Sequence, residues 1–70
     1  MPIVYPTLGQ QIKAAQRELA MRRTVYAKRV AFQKMTQAEA DLEVELMAAI
    51  LKTLEELQQQ DLFKTHNPPR

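Results

Sequence analysis

Arg22 and Arg23 stand side by side in AMRRTVYAKRV, residues 20–30, with Tyr26 one helical turn beyond Arg22. A guanidinium stays charged at physiological pH, offers a planar fork of donors to a carboxylate or phosphate, and stacks on aromatic rings. Such a group recognises an acidic partner; it does not shuttle protons. Groups that could are scarce: the one histidine, His66, lies in a polar segment, cysteine is absent, and the carboxylates recur along what reads as a solvated helix face. General acid–base work needs groups poised by burial or neighbours, and neither a glycine-rich phosphate loop nor a Glu-x-x-His metal pattern occurs. The chemistry on offer is recognition, with no catalytic residue, no metal site and no cofactor expected.

These side chains must be positioned by a small framework. A chain of 70 residues is near the size at which one hydrophobic core supplies only about 3–5 kcal/mol, so that disulfides, metals or further subunits are usually added. Without cysteine there is no disulfide and no thiolate zinc site, which leaves association. A single glycine among many Ala, Leu, Glu, Lys, Gln and Met residues points to an all-α fold. The longest unbroken apolar stretch, Leu46 to Leu51, falls far short of the roughly 20 residues that span a bilayer. Met1 to Pro6 has no cationic region ahead of an apolar one, as a secretory signal would. The expectation is a cytoplasmic protein with no membrane segment. A formal net charge of +2 decides little about partners; where the charges lie matters more.

Two start signals organise the chain. Thr7 with Gln10 has the spacing of a capping box, and so has Thr36 with Glu39. After the first, Leu8, Ile12, Ala15, Leu19, Tyr26 and Val30 recur on one stripe, while Met21, Val25 and Phe32 form another. After the second, Ala40, Val44, Met47, Leu51 and Leu54 form one stripe, widened by Leu42, Leu46, Ile50 and Leu57. Lys28, Arg29 and Lys34 collect at the end of the first segment, and Glu39, Asp41 and Glu43 at the start of the second, as helix dipoles favour. The spacing predicts an antiparallel two-helix hairpin over 7–62, with helix one about 7–33 and helix two about 37–62. One unbroken coiled-coil helix is the rival, but its seam would run through Arg29, Gln33 and Thr36, which are polar. Residues 1–6, with a proline on each side of Ile3, Val4 and Tyr5, read as an extended N-terminal arm, and 63–70 as a disordered tail.

The apolar arc of helix two is wider than one neighbouring helix can cover. Leu42, Leu46, Met47, Ile50, Leu54 and Leu57 are therefore the expected self-association residues, and a homodimer completing a four-helix bundle the expected assembly. Charge is also segregated. From Lys13 to Lys34 there are seven basic residues against Glu18, and from Glu39 to Asp61 seven acidic residues against Lys52. Reversal at Met35–Thr36 would set Lys28 and Arg29 near Glu43, and Lys13 and Arg17 near Glu55 and Glu56, whereas Arg22 and Arg23 would face Ala49 and Ala48. At least one of these two arginines should then be free for something outside the hairpin.

Residues 16–54 resemble a family of short helical proteins encoded by tailed phages and prophages of proteobacteria. The likeness is carried by Arg17, Glu18, Ala20, Met21 and Arg22, by Val25-Tyr26, by Met35-Thr36-Gln37, by Ala40-Asp41 and Glu43, and by Met47, Ala49 and Ile50. Where that family often has proline after the tyrosine and glycine before the basic-Met pair, this chain has Ala27 and Gln33. Those replacements argue for a straighter first helix and against a glycine-type helix stop. The resemblance implies a phage product in the bacterial cytoplasm and brings no activity with it. Its expected partner is a host bacterial protein, docked through Arg22, Arg23 and Tyr26 or through Ile3, Val4 and Tyr5, with adaptor or inhibitor action in host takeover or against host defence. The alternative is nucleic-acid binding by the basic face of helix one, through Lys13, Arg17, Arg22, Arg23, Lys28 and Arg29.

Overall fold

The computed structural model describes residues 5–66, with side chains as far as Leu62. Two helices, α1 (Leu8–Ala31) and α2 (Gln37–His66), pack against each other as an all-α hairpin. The start of α1 is the capping box its sequence spells: the Thr7 hydroxyl accepts from the Gln10 N–H at 3.1 Å, and the Gln10 side-chain oxygen accepts from the Thr7 N–H at 2.8 Å. Two amide donors that the first turn leaves unsatisfied thereby find partners. At α2 the Thr36 hydroxyl accepts from the Glu39 N–H at 3.1 Å and donates to the Glu39 carboxylate at 3.0 Å. There the acid is held by the hydroxyl.

The reversal comes earlier than the charges suggest. α1 ends at Ala31, with Phe32 as its C-cap, and Gln33 takes the left-handed conformation at φ 59°. The Gln33 N–H donates to the Val30 carbonyl at 3.0 Å and the Lys34 N–H to the Arg29 carbonyl at 2.8 Å. This pair of bonds is the Schellman stop, which usually places glycine at the left-handed residue. The expectation that a glutamine here argues against a glycine-type stop is therefore corrected: the bonds form and the side chain tolerates the φ.

Because the chain turns near Gln33, facing positions slip by about one helical turn relative to a reversal at Met35–Thr36. Arg23 and Ala27 flank the same groove as Val44 and Ala40, and Leu8 sits beside Leu57 and Gln60. Helix two also runs farther than expected, to His66, so residues 63–66 belong to α2 and not to a tail. Nothing breaks a helix in the sequence until Asn67-Pro68-Pro69, and a residue before proline is driven out of the α region. Of the expected N-terminal arm, Ile3 and Val4 lie outside the described residues, as do residues 67–70 of the tail.

The core is the seam between the helices. Ile12, Ala15 and Leu19 from α1 and Ala40 and Met47 from α2 are buried, with Val44, Ala48, Leu51 and Leu54 packed half-buried around Met47, Ala15 and Leu19. Apart from Ala48, these residues belong to the stripes read at three- and four-residue spacing. The thinnest dimension of the backbone is 13 Å, close to one helix diameter, so the molecule is a single layer.

Candidate functional site

Consecutive helical residues point about 100° apart, so Arg22 and Arg23 cannot share a task. Arg22 turns to one edge of the seam. Its Nε donates to Glu18 at 3.0 Å, one turn back on α1, and its Nη1 crosses to α2, donating to the Glu43 carbonyl at 3.0 Å and the Glu43 carboxylate at 3.4 Å. The hydrogen bond with Glu18, and then the nearby Tyr26, Glu18 and Glu43, outweigh desolvation and hold the Arg22 guanidinium above its ordinary pKa. Arg22 is therefore an internal fastening, and its expected place in an outward docking patch is corrected. The cause is register: with the turn at Gln33, Glu43 comes within reach, and Ala49 does not stand opposite.

Arg23 turns to the other edge. It is exposed and makes no ion pair among the described residues. There it lines a shallow groove with Tyr26, Ala27, Gln37, Ala40, Asp41 and Val44. Tyr26 is half-buried, and its ring is covered by the Arg29 guanidinium at 5.3 Å from the centroid, a cation–π contact that fixes the ring from above. The expected Arg22-Arg23-Tyr26 patch thus divides at Tyr26, which sits over the seam within one turn of both arginines: Arg23 shares the groove with it, while Arg22 is turned to the opposite edge and held by Glu18 and Glu43. Tyr5, the described member of the N-terminal trio, is 84% exposed.

The expected charge ladder is mostly unmade. Among the described residues the one ion pair joining the two helices is Arg22 with Glu43; Lys28, Arg29, Lys13 and Arg17 make none with Glu43, Glu55 or Glu56. Glu18, Glu43, Asp41 and Gln37 were not picked out as site residues by their sequence. The Glu18–Arg22 spacing of four was legible as a helical pair, whereas Glu43, Asp41 and Gln37 needed the register.

Of the expected self-association residues, Leu42, Leu46, Ile50 and Leu57 are 56, 48, 49 and 50% exposed. Met47 is instead buried in the seam and Leu54 half-buried against it, because both fall on the stripe that meets α1. Those two are corrected to intrachain core. Helix geometry puts Leu46, Ile50 and Leu57 on the side of the layer that carries the Arg22–Glu43 pair, with Leu42 at its outer edge and Met21 and Val25 beside them on α1. The Arg23–Tyr26 groove opens on the opposite side.

Among the described residues no three His, Cys, Asp or Glu side chains are grouped to hold a metal ion, and no helix is long and apolar enough to cross a membrane. Comparison with protein-family models, with curated proteins and with solved structures finds no match to this chain.

Proposed function

We propose that this chain is a small interaction factor that docks on another protein, as an adaptor or inhibitor, and does no catalysis of its own. The observation that supports this best is Arg23: an exposed guanidinium with no ion pair among the described residues, lining a groove together with the half-buried Tyr26. Arginine and tyrosine are frequent anchors of protein interfaces, and a partner presenting a carboxylate next to an apolar side chain would satisfy both. The family resemblance makes a bacterial host protein the partner class and the bacterial cytoplasm the place of action. Affinity capture from bacterial lysate with the wild-type chain and with Arg23→Glu tests it. Selective capture by the wild type, lost in the variant, is expected; capture that is equal for both removes the groove from the proposal.

A second reading rests on the exposed cations of α1. Lys13, Arg17, Arg23 and Lys28 make no ion pairs among the described residues and could meet phosphates. The acidic α2 lies alongside and weakens that field. A mobility shift with DNA and RNA at low salt separates the two readings, since phosphate binding there would be strong and would fall steeply as salt rises.

A further inference from the structure

We infer that the apolar side of the layer is covered by a second copy of this chain, turned about a two-fold axis that runs parallel to the helices. This goes beyond the docking reading and does not depend on it, because the Arg23 groove lies on the other side of the layer.

Three observations lead there. First, domains ordinarily close a core between two layers, whereas this hairpin is one layer and among the described residues no side chain is fully buried. Second, the side bearing Leu46, Ile50 and Leu57, with Met21 alongside, leaves each of these about half exposed, and the charged groups near its middle, Arg22, Glu18 and Glu43, already partner one another. Third, the opposite charges of the helices are scarcely used within the chain. Lys28 of α1 and Glu39 and Glu45 of α2 are exposed and make no ion pairs among the described residues.

Charge then selects the geometry. Two layers stacked apolar side to apolar side can be related by an axis across the helices or by one along them. The first sets α1 on α1 and α2 on α2, like charge against like. The second sets each α1 on the partner's α2, so that every neighbouring pair in the four-helix bundle is antiparallel and of opposite charge. An axis along the helices also preserves height. Residues level with each other within one hairpin are then level across the interface: Met21 meets the partner's Leu46, Val25 the partner's Leu42, and Lys28 the partner's Glu39 on the bundle's flank. The hydrophobic contacts supply the association and the Lys28–Glu39 pair its orientation.

Sedimentation equilibrium over a concentration series reads this directly, with circular dichroism reporting the helices. The wild-type chain is expected at twice its 8.1 kDa. Leu46→Glu with Ile50→Glu should give one-chain mass with helicity kept, since both residues lie outside the hairpin's own core. Lys28→Glu should weaken association by at least about tenfold, a loss on the scale of a like-charge contact, and combining it with Glu39→Lys should restore it. A wild-type chain of one-chain mass at about 100 μM, near the weak end of specific association, overturns the inference. A dimer indifferent to Leu46→Glu with Ile50→Glu overturns the face. A Lys28→Glu loss that Glu39→Lys does not repair overturns the axis. Arg23→Glu should leave the mass at two chains, so failure of the groove's docking role and failure of the dimer are read separately.

Discussion

Arg22 is fastened to the backbone of Glu43: its Nη1 meets the carbonyl oxygen at 3.0 Å, closer than the 3.4 Å to the carboxylate of the same residue. A bond to the main chain fixes where along α2 the arginine sits, whatever rotamer the glutamate takes. With Glu18 held at 3.0 Å by Nε, one planar group ties a side chain on its own helix to the backbone of the other.

Arg22→Ala should therefore lower the urea midpoint of unfolding more than Arg23→Ala does, although the two residues are adjacent and of one kind. Arg22→Lys should not restore it, because an ammonium lacks the fork that serves Glu18 and Glu43 together. Denaturation series on the three variants check this ranking. If Arg23→Ala were the more damaging, the division of labour between them would be wrong.

Gln33 holds a left-handed φ of 59°, a conformation that costs an L side chain roughly 1–2 kcal/mol and glycine almost nothing. Part of the gain is returned as glycine's greater freedom in the unfolded chain. Gln33→Gly is expected to stabilise the hairpin by about 0.5–1 kcal/mol, a few degrees in Tm for a chain this short. Gln33→Val should do the reverse. Thermal melts followed at 222 nm decide the sign.

Thr7 and Thr36 each accept a hydrogen bond from the amide three residues on. Replacing either by alanine should cost about 1 kcal/mol, and serine should recover most of it. Amide exchange at Gln10 and Glu39, the donors to those hydroxyls, gives a local readout that a general loss of stability would not mimic.

Met47 and Leu46 adjoin in sequence and differ in surroundings, 8% against 48% exposed. Met47→Ala opens the seam and should cost about 2–3 kcal/mol at any protein concentration. Leu46→Ala, measured in dilute solution, should stay within about 0.5 kcal/mol. Unfolding midpoints at two widely separated concentrations distinguish them.

The helices, both threonine caps and the hairpin were legible because each rests on local chemistry: periodic stripes, hydroxyl caps, and charges at helix ends. The register was not. It hangs on the left-handed residue at position 33, and glutamine does not advertise that conformation as glycine would. Placing the reversal two residues late moved every facing pair, gave Arg22 an alanine for a neighbour and hid Glu43. The far end of α2 extends beyond Leu62 for a simpler reason: a polar stretch without glycine or proline is still a good helix, here through His66.

An antiparallel hairpin closes like a zip whose loops lengthen away from the bend. Contacts at the Ala27–Ala40 level link residues near in sequence, the Arg22–Glu43 fastening spans 21 positions, and the Leu8–Gln60 level closes nearly the whole chain. Closure entropy rises with that span, so the two helices should join from Gln33 outward and come apart first at the Leu8 end, with Arg22 marking the midpoint at which the ends are still free to part while the bend stays shut.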